Sequence, residues 1–102
     1  MVDGPIVEQI DPDLEELMER FFESSRKDLG KMQFALEAKD FTSLIRLGHT
    51  AKGTGYGYGF RGMGDIGLEL ENAAKAQSED DVRAHIQRMA HYLDTVKVEF
   101  GK

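Results

Sequence analysis

One histidine is predicted to face solvent from an amphipathic helix. The apolar side of this second predicted helix is centred on Phe41, Leu44 and Gly48. On a helical wheel, His49 lies about 120° away from that centre, so its side chain is expected outside the core. A neutral imidazole nitrogen is a nucleophile at neutral pH. His49 is therefore a candidate acceptor of a phosphoryl group, and the alternative is an ordinary surface histidine.

The residues one helical turn from His49 suit that chemistry. Arg46 precedes it by three positions, Lys52 follows by three and Gly53 by four, so all are neighbours on the helix surface. A cation at this position stabilises the charge on a transferring phosphoryl group. Glycine inside a helix costs about 1 kcal/mol relative to alanine. Space for an approaching group would explain Gly53, and close helix packing is the alternative, although the inward-facing Gly48 is better placed for packing.

A carboxylate on the next helix is a candidate orienting group. Glu71 lies about 100° from the apolar centre of the third predicted helix, on a flank that can face His49. A carboxylate that accepts a hydrogen bond from Nδ1–H would leave Nε2 as the attacking atom. Acidic residues on helix flanks are commonly just solvated, so this second interpretation of Glu71 stays open.

Composition excludes several other functions. The 102 residues carry a formal charge of −6, which disfavours nucleic acids and anionic membranes as partners. There is no cysteine, and no apolar run is long enough to span a membrane. His85 and His91 are six positions apart and cannot share a helix face as metal ligands. We expect a cytoplasmic monomer without a metal or cofactor of its own.

The chain is predicted to be all-α, an antiparallel up-and-down four-helix bundle with a short N-terminal arm. Residues 1–10 are assigned to the arm and residues 11–102 to the bundle. The only prolines are Pro5 and Pro12, and no segment alternates with a period of two, so strands are not expected. Gly30 is a candidate kink in the first helix. The last helix is predicted to bury apolar residues as far as Phe100.

Predicted helix starts lie at Asp11, Asp40 and Ser78, each a residue type that caps helices. The glycine-rich segment between the second and third helices is interpreted as a tight turn. Within it, residues 57–62 match the dinucleotide motif G-x-G-x-x-G. That motif is rejected as a nucleotide site because it follows a predicted helix, and no βαβ unit is present.

The segment His49-Thr50-Ala51-Lys52-Gly53-Thr54, with Gly59 ten positions after the histidine, resembles the histidine-containing phosphotransfer (HPt) domain family. Residues 57–60 and Glu71-Asn72 are most similar to the phosphotransfer domain of chemotaxis histidine kinases, in which a glutamate stands at the position of Glu71. Leu68 departs from the chemotaxis pattern, which often has a second histidine there. The resemblance covers essentially the whole chain.

The resemblance implies a phosphocarrier of a two-component phosphorelay. His49 would accept a phosphoryl group from an aspartyl phosphate of a receiver domain, or from a histidine kinase, and pass it on. Lys52 would sit beside the phosphoryl group, and Gly53 would leave room for the receiver, which supplies Mg²⁺. The chain has no ATP site and is not expected to be an enzyme alone. The expected partner-docking residues are Arg46, Tyr56, Gly64 and Leu68.

Two other functions stay open at this point. The chain would equally suit a helical binding module without phosphoryl chemistry, docking a partner through Tyr56 and Leu68. It would also suit the excised phosphotransfer domain of a larger hybrid or chemotaxis kinase.

Overall fold

A computed structural model describes residues 5–101 of the chain. The strand β1 (Val7–Ile10) is followed by a 3-10 helix (Pro12–Leu17) and by the helices α1 (Met18–Glu37), α2 (Phe41–Tyr58), α3 (Arg61–Lys75) and α4 (Glu79–Thr95), and the strand β2 (Lys97–Phe100) ends the described part. Each helix contacts the next along the chain, and α1 contacts α4, so the bundle closes on itself. The prediction of an all-α four-helix bundle is confirmed.

The helices are joined by short connections that depend on left-handed residues. Residues 38–40, 59–60 and 76–78 form the three turns. Each turn contains one residue with positive φ, namely Lys39 at 56°, Gly59 at 95° and Gln77 at 55°. A left-handed residue after the last helical turn satisfies helix carbonyls and reverses the chain. Such short reversals place consecutive helices side by side.

Two of the predicted caps form as expected. The Asp40 carboxylate accepts a hydrogen bond from the backbone N–H of Ser43 at 3.1 Å, and Asp11 accepts one from Asp13 at 2.9 Å. Ser78 occupies the N-cap position of α4, but its hydroxyl donates to the Asp81 carboxylate at 2.9 Å instead of bonding the helix backbone. Helix α1 continues through Gly30 as a single element.

The core lies between the four helices and includes one residue from the first strand. Phe60, in the turn between α2 and α3, is fully buried and stacks on Phe21 with ring centroids 4.5 Å apart. Its position anchors the short turn against α1. The largest fully buried side chains are Phe60, Ile10, Met32, Leu44, Leu70, Met89 and Val82.

The prediction that strands are absent was wrong. β1 pairs with β2 in parallel, with Val7 opposite Lys97 and Ile10 opposite Phe100. The period-two pattern in β1 was hidden because one of its two inward residues is charged: Glu8 is only 5% exposed, and Ile10 is fully buried. Helix α4 also ends earlier than predicted, because Val96 is extended at φ −60° and ψ 137°. Phe100 consequently lies in β2, where it is 38% exposed.

Candidate functional site

Glycines hold α2 and α3 in backbone contact. A Cβ on Gly48 would lie 2.7 Å from the backbone nitrogen of Glu71, and a Cβ on Gly67 would lie 2.5 Å from that of Lys52. No side chain fits at these distances, so the two helices approach more closely than larger residues would permit. This contact brings residues 49–52 of α2 beside Glu71 of α3. The inward role predicted for Gly48 agrees with this packing.

His49 stands at the edge of that contact and is open to solvent. Its side chain is 66% exposed, as the helical wheel predicts, and its Nδ1 lies 3.4 Å from Oε2 of Glu71. This distance is long for a hydrogen bond, but catalytic hydrogen bonds are often long before the reacting complex forms. Because Nδ1 faces the carboxylate, Nε2 is the ring nitrogen that points away from it. The geometry suits the Nδ1–H tautomer with Nε2 as the nucleophile.

Glu71 is the buried centre of a small charge cluster. Its side chain is 9% exposed and is approached by two ammonium groups, Lys52 Nζ at 3.4 Å from Oε1 and Lys75 Nζ at 3.3 Å from Oε2. Burial alone would raise the pKa of Glu71, but the hydrogen bond to Lys75 and the charges of Lys52 and Lys75 outweigh it and hold the pKa below its usual value. Glu71 is therefore ionised at neutral pH.

Sequence reasoning did not single out Lys75. It lies four positions after Glu71 on α3, where it forms an i, i+4 ion pair with the glutamate. That spacing was visible in the sequence. It was not used because Glu71 was considered only as a partner of His49.

Gly53 borders His49 without being required by internal packing. A Cβ on Gly53 would meet no heavy atom within 4 Å. Arg46 lies on the other side of His49 and is exposed, with Nη2 3.5 Å from Ser43 Oγ. Among the described residues, no carboxylate lies within ion-pair distance of Arg46, so its guanidinium does not belong to the Glu71 cluster.

The predicted docking residues Tyr56 and Leu68 are exposed to 45% and 37%, respectively. The Tyr56 hydroxyl donates a 2.6 Å hydrogen bond to Asp65, and this bond raises the pKa of Tyr56. Gly64 differs from them, because it is buried under the Tyr56 ring. It therefore cannot contact a partner directly; it makes room for the ring of Tyr56.

The described residues contain no cluster of three or more histidine, cysteine, aspartate or glutamate side chains that would hold a metal ion. His85 lies on α4 beside Arg88, whose Nη1 is 3.0 Å from its Nδ1, and so belongs to a separate surface cluster. Over residues 5–101, no helix has the length and apolar character needed to cross a membrane.

Comparison with known families gives one match. The family model of the Hpt domain matches residues 16–99, which is well over half of the chain and includes all four helices. Neither the curated proteins nor the solved structures yield a match. The matched region contains the exposed histidine, the lysine beside it and the buried glutamate. The chain therefore belongs to the Hpt domain family, the histidine phosphotransfer domains of phosphorelays.

Proposed function

We propose that His49 is the phosphoryl acceptor of this domain and that its Nε2 exchanges the group with an aspartyl phosphate of a receiver domain. The observation that carries the proposal is the pairing of an exposed imidazole with a buried, ionised carboxylate at its Nδ1. This pairing fixes one nitrogen as the proton carrier and leaves the other as the nucleophile. Lys52 stands three positions after His49, one helical turn away.

The transfer is a displacement at phosphorus. The lone pair of Nε2 forms a bond to phosphorus while the bond from phosphorus to the aspartyl oxygen breaks, and that oxygen keeps the electron pair. The proton stays on Nδ1, facing Oε2 of Glu71, so the phosphorylated ring is an imidazolium. In the reverse transfer the phosphorus–nitrogen bond breaks and its electron pair returns to Nε2. The protonated ring is a good leaving group, which suits a carrier that must also give the group away.

The partner supplies the remaining machinery. Receiver domains, and a histidine kinase upstream, are the proposed partners, and the receiver brings the Mg²⁺ that neutralises charge on the phosphoryl oxygens. The domain has no ATP site in this proposal and acts as a phosphocarrier, not as an enzyme on its own. Tyr56 and Leu68 provide exposed apolar surface for docking, and Arg46 adds a cation beside the site.

The proposal is tested by label transfer from a phosphorylated receiver domain. We expect an acid-labile, alkali-stable label on the wild-type protein and none on His49→Gln. His91→Gln, which changes an exposed histidine on α4, is the matched control and should label normally. Label that persists in His49→Gln would contradict the assignment of His49. A receiver that binds equally well in both phosphorylation states without transferring label would favour a plain binding module.

A further inference from the structure

The two lysines that approach Glu71 differ in how firmly they are bound to it. Lys75 projects from the same helix as Glu71 and lies 3.3 Å from Oε2, the oxygen that also faces His49. Lys52 projects from α2 and lies 3.4 Å from Oε1. Within residues 5–101, Oε1 is buried without a well-aligned hydrogen-bond donor although Lys52 lies beside it. The hydrogen bond of Lys75 also lowers the pKa of Glu71 more than that of Lys52 does. Glu71 thus holds Lys52 less firmly than it holds Lys75.

We propose that Lys75 is the resident counter-ion of Glu71 and that it thereby frees Lys52 to turn toward the phosphoryl group on His49. This proposal rests on the proposed function of His49. Lys75 acts through Glu71 and is a positioning residue, not a catalytic one. It holds Oε2 against Nδ1 of His49 while Lys52 changes partners.

Because Glu71 is buried, its carboxylate cannot lose a neighbouring cation without a replacement. A phosphoryl group on Nε2 attracts the nearby ammonium of Lys52, and that ammonium would have to leave Oε1. A carboxylate that is 9% exposed and has lost its cation would either recapture Lys52 or take up a proton. Lys75 prevents both, because its contact lies within α3 and does not depend on Lys52. The titratable side chains that face Glu71 are His49 and Lys52 from α2 and Lys75 from α3.

The first test needs no phosphoryl chemistry. The carboxyl carbon of Glu71 is followed by NMR during acid titration of the wild-type protein, Lys75→Met, Lys75→Arg and Lys52→Met. We expect Lys75→Met to raise the midpoint of the Glu71 titration more than Lys52→Met does, and Lys75→Arg to restore it. Lys31→Met is the matched control, because it removes one charge from the Lys31–Asp28 pair on α1. An unchanged midpoint in Lys75→Met would overturn the proposal.

The second test measures label transfer in a double-mutant cycle. We expect Lys52→Met to slow transfer about tenfold in the wild-type background, because it removes a cation from the transferring group. In the Lys75→Met background, the further change Lys52→Met should slow label transfer by less than about threefold. The reason is that Glu71 then already holds Lys52. Lys75→Arg should transfer at a rate near wild type.

The outcomes of this second test separate the two proposals. Wild-type protein that takes no label on His49 would overturn the proposed function. Labelled wild-type protein, with effects of Lys52→Met and Lys75→Met that simply multiply, would overturn the role of Lys75 alone. Circular dichroism of each variant verifies that the helices are intact at the temperature of the assay.

Discussion

Gly53 follows His49 by one helical turn, and a Cβ placed on it meets no heavy atom within 4 Å. The absence of a side chain is therefore not needed by the packing of the described chain. Gly48 and Gly67 differ, since a Cβ on either would collide with backbone of the neighbouring helix. A glycine that packing does not require makes a helix less stable than an alanine at the same position would. Space for a molecule that approaches His49 would explain this glycine.

Substitution of Gly53 should separate stability from transfer. We expect Gly53→Ala to raise the free energy of unfolding by about 1 kcal/mol, because alanine favours an exposed helical position. The bulkier Gly53→Leu should slow transfer from a receiver domain by about tenfold or more, since displacement of the partner by 1 Å is costly. Labelling by the small donor phosphoramidate should continue at the wild-type rate.

Gly30 provides the control for this comparison. It also lies in an exposed helical position with open space at its Cβ, but on α1. Gly30→Ala should raise stability by a similar amount, measured by urea unfolding, and leave receiver transfer unchanged. Equal transfer rates in Gly53→Leu and the wild-type protein would show that the receiver does not approach over Gly53.

Much of the site was predictable because it depends on helical spacing. The exposure of His49 and the neighbouring positions of Lys52 and Gly53 follow from 3.6 residues per turn and need no tertiary structure. Glu71 faces His49 as expected, but the sequence did not indicate that the side chain of Glu71 would be buried. That burial arises because the backbones of α2 and α3 touch at Gly48 and Gly67. A helical wheel of one helix carries no information on how closely the next one packs.

Leu68 should contribute to receiver affinity but little to folding. Its side chain is 37% exposed, so Leu68→Ala should change the free energy of unfolding by no more than about 0.5 kcal/mol. If it lies under the receiver, the same change should raise the dissociation constant by about fivefold. Leu17→Ala is the control, because Leu17 is similarly exposed at 42% before α1. Isothermal titration calorimetry measures the dissociation constant of the receiver for each of the two variants. An equal loss of affinity in both would argue against a docking role for Leu68.

Acid should reduce the stability that Glu71 contributes. Its pKa in the folded protein lies below the ordinary value of 4.5, because the contacts with Lys75 and Lys52 outweigh the opposing effect of burial. The folded state therefore binds fewer protons than the unfolded state over this range, so the contribution is complete above pH 4.5 and is lost as the pH falls through the lowered pKa. We expect Glu71→Gln to lower the free energy of unfolding by about 1 kcal/mol at pH 7. The difference from the wild-type protein should shrink in urea unfolding at low pH; a difference that grows on acidification would contradict this sign.

The N-terminal strand should behave as part of the bundle. The Glu8 carboxylate accepts a hydrogen bond from the N–H of Gly62, at the start of α3, at 2.8 Å. It accepts a second one from the hydroxyl of Tyr92, on α4, at 2.7 Å. Burial and the bond to Glu8 raise the pKa of Tyr92. Glu8→Ala should lower the free energy of unfolding by about 2 kcal/mol, because it leaves two hydrogen-bond donors without an acceptor. Tyr92→Phe should cost about half as much.

These two changes should not be additive, because both remove the same hydrogen bond. Gln9→Ala, which alters an exposed side chain on the same strand, is the control and should change the free energy of unfolding by about 0.5 kcal/mol or less. Urea unfolding measures all of the variants. A Glu8→Ala protein as stable as the control would mean that the contacts of Glu8 do not fasten β1 to the bundle.

Gly67 should be the position at which a single methyl group disrupts both fold and site. In Gly67→Ala the new Cβ would lie 2.5 Å from the Lys52 nitrogen and 2.9 Å from the Gly48 carbonyl oxygen. Both are backbone atoms that cannot turn away, so α2 and α3 must separate, at a cost of about 1–3 kcal/mol. The same separation draws Glu71 away from His49 and Lys52. We therefore expect lower stability, slower transfer and a Glu71 pKa that moves back toward its ordinary value, whereas Gly57→Ala, with open space at its Cβ, should show none of these losses. A Gly67→Ala protein with wild-type stability and transfer would show that the contact of the two helices does not position the site.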